Sequence, residues 1–164
     1  MNINNKEYKE IKLLGKGKSG YSYLVKDNNN FLYVAKKIHN EPCEFYEFGD
    51  KLESEINDYN YLISFLDIPK IIDIDYNNKI ILKEYLEENT ISELISKNID
   101  ISKYIVLIKN ISIICKEHNI NIDYYPTNFI FHNSKLFYID YECNKYCDEW
   151  NYENWGSKYW KLND

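Results

Sequence analysis

The spacing of apolar residues changes along this chain and predicts two kinds of secondary structure. Residues 8–38 hold three short apolar and aromatic runs, divided by a glycine cluster and an Asn-rich turn, which predict β-strands. The run Asp50-Lys-Leu-Glu53 is a capping-box pattern and predicts a helix that ends before Pro69. Two more strands, KIIDIDY and KIILKEYL, are predicted on either side of a turn at residues 77–78.

The pattern becomes helical beyond these strands. Thr90 and Glu93 form a second capping box, which predicts a short helix at about residues 91–97. Residues 101–118 carry an apolar stripe at helical spacing and predict a long, half-buried helix. A hairpin (NFIFH and KLFYID) and an aromatic tail follow. We therefore expect an α+β fold in which a β-rich half with one long helix precedes a mainly helical half.

Composition excludes several classes of function. The net charge of −6 argues against a nucleic-acid partner, because affinity for phosphate backbones needs a surplus of basic side chains. All 20 basic residues are lysine, so no mechanism here can use the two-pronged arginine contact. The N-terminus is polar, unlike a secretory leader, and no apolar run is long enough to span a membrane. We expect a cytoplasmic protein without a membrane partner.

The cysteines are expected to be reduced thiols, as is usual in the cytosol. A zinc site is the weaker interpretation, because the spacings His39–Cys43 and Cys143–Cys147 lack the tight C-x-x-C arrangement. The four cysteines are Cys43, Cys115, Cys143 and Cys147.

Three polar side chains near the hairpin predict a site for Mg²⁺ and phosphate. Asp123 is followed five residues on by Asn128, with Pro126 between them, and Asp140 comes at the end of the hairpin. An amide and a carboxylate can share a hard cation, while the remaining carboxylate orients an attacking hydroxyl.

Gly15, Gly17 and Gly20 lie between two predicted strands. This position argues against a dinucleotide-binding loop, which needs a helix directly after the glycines. It suits a flap whose backbone closes over phosphates, and a plain glycine-bearing hairpin is the alternative.

A lysine pair and a glutamate suggest a buried ion pair. Lys36 and Lys37 should point to opposite faces of their strand, one inward and one to solvent. Glu55 lies on an otherwise apolar face of its predicted helix, where an unpaired carboxylate is costly. We expect Lys37 to be its partner, with an ordinary pair of surface lysines as the alternative.

In this order, the motifs resemble those of the protein-kinase-like superfamily, which includes the Ser/Thr protein kinases. Ile139-Asp140-Tyr-Glu142 is similar to the I-D-[FWY]-E motif of the aminoglycoside and choline kinases, so the chain resembles a minimal bacterial-type kinase. The match covers residues 8–142. It implies a two-lobe fold in a single domain over residues 1–164, with an N-lobe at 1–85 and a reduced C-lobe at 86–164.

The resemblance implies ATP binding in the first half of the chain. The glycines would cover the triphosphate, and Lys37, held by Glu55, would contact the α- and β-phosphates. The hinge around Tyr85 would bind adenine through backbone groups. The implied nucleotide-binding residues are Gly15, Gly17, Gly20, Lys37, Glu84 and Leu86.

In the second half, the resemblance implies catalysis by Asp123, which would accept or orient the proton of the acceptor hydroxyl. It implies that Asn128 and Asp140 bind Mg²⁺. The implied function is transfer of the γ-phosphoryl group of Mg-ATP to a hydroxyl of a protein or small molecule. A nucleotide-binding pseudokinase or adaptor is the alternative.

The chain departs from the family pattern at several positions. Asn121 stands where the family has a histidine, and Tyr125 where it often has a lysine. Lys83 falls at the position that gates the adenine pocket, where we expect it to point to solvent or to pair with a carboxylate. Because few residues follow Asp140, we expect no long activation segment. The aromatic residues after Asp140 predict either a last helix packed on the C-lobe or an exposed surface that binds a partner or a second copy.

Overall fold

The computed structural model describes residues 1–42 and 49–162, so Cys43 and its proposed spacing to His39 lie outside the described residues. The chain divides into two compact units. Unit 1 comprises Met1–Ile56 and Pro69–Tyr85, and unit 2 comprises Asn57–Ile68 and Leu86–Asp164.

Unit 1 contains a small hairpin and a larger antiparallel sheet. The hairpin pairs β1 (Asn2–Ile3) with β2 (Lys6–Glu7). The strands of the sheet are β3 (Lys9–Lys16), β4 (Gly20–Lys26), β5 (Leu32–Ile38), β6 (Ile71–Asp75) and β7 (Ile80–Glu84). Their order is β3-β4-β5-β7-β6. All five strands were predicted, whereas the β1–β2 hairpin was not, because it is short and polar.

Both faces of this sheet bury apolar side chains. On one face Ala35 and Leu82 pack with Ile3 of the hairpin. On the other face Ile38 and Ile81 pack against helix α1 (Lys51–Leu62), of which residues 51–56 belong to unit 1. The adjacent residues Ile81 and Leu82 of β7 therefore point into different cores, as strand alternation requires.

Asp75 ties the β1–β2 hairpin to the sheet. Its carboxylate accepts hydrogen bonds from the backbone N–H groups of Asn4 and Asn78, both at 2.9 Å. These hydrogen bonds favour the charged form and hold the pKa of Asp75 below its usual value. The side chain is buried, at 2% exposure.

Unit 2 combines helices with short strands. Its helices are α2 (Ile91–Ser96) and α3 (Ser102–Glu117), and its strands are β8 (Ile120–Ile122), β9 (Phe129–His132), β10 (Lys135–Tyr138) and β11 (Cys143–Lys145). The capping box of Thr90 and Glu93 and the predicted hairpin, β9–β10, are confirmed. The antiparallel β8–β11 pair was not predicted, because β11 is too short and polar to be distinguished from a loop. No helix within the described ranges has the length and apolar character needed to cross a bilayer.

The aromatic tail packs within unit 2, but not as the predicted α-helix. It forms 3₁₀ turns at Asp148–Trp150 and Gly156–Tyr159. Trp160 is buried and its indole N–H donates to the carbonyl oxygen of Tyr124 at 2.7 Å. Gly156 lies so close to Tyr124 that an added Cβ would come within 2.6 Å of that residue's Cβ.

Candidate functional site

A buried ion pair joins Lys36 of β5 to Glu55 of α1. The Nζ atom of Lys36 lies 2.8 Å from Oε1 of Glu55, and the two residues are only 9% and 8% exposed. Lys37 is exposed, so the predicted pairing of Lys37 with Glu55 is wrong. The prediction that one lysine points inward and the other outward is confirmed.

Strand alternation explains this correction. Lys36 shares its face of β5 with Ile38, which packs against Leu52 of α1, and Glu55 lies one turn after Leu52. Lys37 points to the opposite face. No local signal separates the two lysines, because Lys37 has the same spacing of two residues from the apolar Ala35 as Lys36 has from Ile38.

The glycine-bearing turn connects β3 to β4. The N–H of Gly17 donates to the carbonyl oxygen of Gly20 at 2.9 Å, which closes the turn. Gly20 must lack a side chain, because a Cβ there would lie 2.5 Å from the carbonyl oxygen of Lys37. At Gly15 an added Cβ would meet nothing within 4 Å, so contacts within the described residues do not require this glycine. Its bare backbone can be approached closely by another molecule.

The turn is held from outside by His39 and Lys51. The backbone N–H of His39 donates to the carbonyl oxygen of Ser19 at 2.9 Å. The ring Nε2 of His39 lies 3.0 Å from the carbonyl oxygen of Gly17. The Nδ1 atom accepts from the N–H of Glu41, so we assign the proton of the neutral ring to Nε2. Lys51 donates to the carbonyl oxygens of His39 and Glu41, at 3.1 and 3.2 Å.

The predicted hinge and gate residues lie at the end of β7. Lys83 is only 7% exposed and pairs across the sheet with Val34, so it does not point to solvent. The carboxylate of Glu84 accepts from the backbone N–H of Lys70 at 2.8 Å. Leu86, the first residue of this part of unit 2, has a buried side chain.

In unit 2, three carboxylates form a group. One oxygen atom each from Asp123, Asp140 and Glu142 lie within 4.8 Å of one another, and all three side chains are partly buried. Asp123 follows β8 and Asp140 follows β10, so the structure brings together two residues that are far apart in the sequence. Glu142 was not predicted as a ligand, although it completes the I-D-Y-E motif. This donor set fits a hard divalent cation such as Mg²⁺.

Asn128 lies beside this group. It ends the 3₁₀ turn Pro126–Asn128, and its side-chain N–H₂ donates to the carbonyl oxygen of Asp123 at 3.3 Å. The backbone carbonyl oxygen of Asn128 accepts from the N–H of Ile139 at 2.8 Å. Asn128 therefore lies next to the residue that precedes Asp140. The side-chain oxygen is the atom that could bind a cation.

Tyr138 connects the two carboxylate-bearing loops. Its hydroxyl donates to the carbonyl oxygen of Glu142 at 2.7 Å and accepts from the N–H of Asp123 at 3.2 Å. Burial and the charge of Asp140 raise the pKa of Tyr138 well above its usual value, so the hydroxyl stays neutral. Sequence reasoning missed this residue, because nothing local distinguishes it from a core tyrosine.

Asn121 and Cys143, which lie close in sequence to Asp123 and Glu142, make further hydrogen bonds within unit 2. The side-chain amide of Asn121 is buried and donates to the carbonyl oxygen of Cys147 at 2.8 Å. The thiol of Cys143 donates to a carboxylate oxygen of Asp58 at 3.4 Å. Burial, reinforced by that carboxylate, raises the pKa of Cys143 to about 12.

Comparisons with known proteins bear on the fold. No family model matches the chain, and no curated protein matches it. Among solved structures, it is similar to a chain of the CAK complex from Chaetomium thermophilum bound to ATP-γ-S, with a TM-score of 0.56 and 20% identity. The likeness covers 86% of this chain and 48% of that chain, so this chain spans about half of its length. It supports a protein-kinase-like fold and gives no support to the bacterial branches in particular.

Proposed function

We propose that this chain binds Mg-ATP and transfers its γ-phosphoryl group to a hydroxyl acceptor on a protein or small molecule. The observation that carries the proposal is the grouping of Asp123 and Asp140 beside Asn128, with Glu142 as an additional carboxylate. Phosphoryl transfer needs positioned carboxylates and charge neutralisation, and little covalent chemistry.

In unit 1, we assign to Lys36 the role that the sequence suggested for Lys37. Lys36 is held by Glu55, and its ammonium group would contact the α- and β-phosphates. Gly15 lies near the end of β3 and Gly17 in the turn that follows, and their backbone would cover the triphosphate. The hinge at residues 84–86 would bind the adenine through backbone groups.

In unit 2, Asp123 would orient the acceptor hydroxyl and accept its proton. Asn128 and Asp140 would hold Mg²⁺, with Glu142 close enough to contribute. A bound Mg²⁺ would neutralise charge on the phosphate oxygens. The backbone N–H of Tyr125 donates to the Asp123 carboxylate at 3.1 Å and so fixes its orientation.

A nucleotide-binding pseudokinase or adaptor is the second candidate. Tyr125, which stands where related kinases often have a lysine, favours this candidate because it removes a positive charge next to the proposed base. Its ring instead packs against that of Tyr159, with centroids 5.0 Å apart.

Thermal melting with and without Mg-ATP tests nucleotide binding. A ligand at a hundred times its Kd stabilises by about 2.7 kcal/mol, which corresponds to roughly 5–11 °C in Tm for a chain of this size. We expect this shift in the parent and in Glu149→Gln, which removes an exposed carboxylate of unit 2. In Asp140→Asn the Mg²⁺-dependent part of the shift should disappear. No shift in the parent at millimolar nucleotide would contradict the proposal.

Transfer of labelled phosphate from ATP separates the two candidates. Hydroxyl-bearing small molecules and proteins would be screened as acceptors with the parent and with Asp123→Asn. We expect Asp123→Asn to bind Mg-ATP like the parent while losing transfer, because Asp123 acts on the acceptor. Binding without transfer to any acceptor would favour the adaptor, and transfer that survives in Asp123→Asn would refute the proposed base.

A further inference from the structure

We infer that Tyr138 is a positioning residue, whose hydroxyl sets the distance between the two loops that carry the Mg²⁺-binding carboxylates. The inference rests on the proposed function, because it concerns the site at which Mg-ATP would bind. It assigns a role to a side chain that would touch neither the nucleotide nor the acceptor.

The hydroxyl of Tyr138 makes one hydrogen bond to each loop. It accepts from the N–H of Asp123, on the loop after β8, and donates to the carbonyl oxygen of Glu142, two residues beyond Asp140. The lengths are 3.2 and 2.7 Å. A hydroxyl has a single proton, so these contacts use it as donor to one loop and as acceptor from the other. A phenylalanine could provide neither contact.

The rest of Tyr138 is held in place by unit 2. Its side chain is fully buried, at 0% exposure, and its ring packs against Phe129 with centroids 5.3 Å apart. Phe129 also faces Tyr138 across the β9–β10 ladder. The backbone N–H of Tyr138 donates to the carbonyl oxygen of Asp67 at 3.0 Å. The hydroxyl is therefore presented from a rigid position.

This connection opposes electrostatic repulsion. Oxygen atoms of Asp123, Asp140 and Glu142 lie within 4.8 Å of one another, and like charges this close repel when no cation is bound. The carboxylates of Asp123 and Asp140 accept from the N–H groups of Tyr125 and Glu142, and each of these two hydrogen bonds lies within one loop. Asn128 also links the two segments through Asp123 and Ile139, by contacts to backbone groups. Tyr138 joins the two loops and so keeps the carboxylates close before Mg²⁺ arrives. Groups that orient metal ligands from behind are typically worth 10–100-fold in metal affinity.

The test compares Tyr138→Phe with Tyr124→Phe. Tyr124 is a matched control, because it is also buried in unit 2, at 1% exposure, and its hydroxyl interacts with the thiol of Cys115. ATP binding would be measured by calorimetry over a Mg²⁺ titration and again in EDTA. We expect Tyr138→Phe to need about tenfold more Mg²⁺ for half-maximal effect, with unchanged affinity in EDTA. Tyr124→Phe should stay within about twofold of the parent.

The outcomes separate the inference from the proposed function. If Tyr138→Phe follows the same Mg²⁺ curve as Tyr124→Phe while the parent binds Mg-ATP, Tyr138 has no positioning role. If the parent shows no Mg²⁺-dependent binding, both the proposed function and this inference are overturned. If Tyr138→Phe does not fold, amide hydrogen exchange in the parent decides. A protected Asp123 N–H supports the connection, and exchange at the rate of an exposed amide refutes it.

Discussion

Replacing Lys36 by methionine should destabilise the protein far more than the same change at Lys37. Methionine keeps much of the length of the side chain and removes only the charge. In Lys36→Met the carboxylate of Glu55 would remain 8% exposed without its ion-pair partner. In Lys37→Met an exposed side chain changes, so the two adjacent substitutions form a matched pair.

The expected magnitude follows from the geometry of the pair. Unit charges 2.8 Å apart attract by about 6 kcal/mol at an effective dielectric constant of about 20. The desolvation of both groups offsets much of this attraction in the parent. Removing Lys36 loses the attraction but leaves the desolvation cost of Glu55, and such changes typically cost about 3–5 kcal/mol. Lys37→Met should change the free energy of unfolding by less than about 0.5 kcal/mol.

Thermal and urea unfolding would measure both variants. We expect Tm to fall by roughly 6–20 °C in Lys36→Met. The double variant Lys36→Met/Glu55→Leu should recover most of this loss, because replacing both partners of a buried pair with apolar groups is often neutral. Equal losses in the two lysine variants, or additive losses in the double variant, would refute the assignment of Lys36 as the partner of Glu55.

Two further predictions concern unit 1. Gly20→Ala should cost about 1–3 kcal/mol, because its Cβ would lie 2.5 Å from the carbonyl oxygen of Lys37, whereas Gly15→Ala should leave Tm nearly unchanged. Urea titrations that rank the two glycine variants equally would contradict this. Asp75 has a lowered pKa when folded, so its stabilisation is complete above about pH 4 and is lost as the pH falls through the lower folded value. Acid titration followed by circular dichroism should show a shallower loss of stability in Asp75→Asn, and parallel curves would refute it.

Local sequence patterns predicted most of the secondary structure. Capping boxes and helical spacing were sufficient for α2 and α3, and runs of apolar residues between turn residues were sufficient for the strands of the unit 1 sheet. These signals are local, because hydrogen bonding and side-chain periodicity within one element depend on neighbouring residues. The β11 strand was missed because its three residues form a strand only by pairing with β8.

Part of the chemistry of the candidate site could be predicted from the sequence. The sequence alone indicated that Glu55 needs a lysine and that Asp123, Asn128 and Asp140 belong together. Which lysine meets Glu55 was decided by the tertiary structure, because both faces of β5 are buried and composition does not say which face meets α1. The contacts of Tyr138 likewise depend on the packing of β9, β10 and the loop after β8. Hydrogen bonds between distant segments depend on how those segments pack, so no local sequence pattern predicts them.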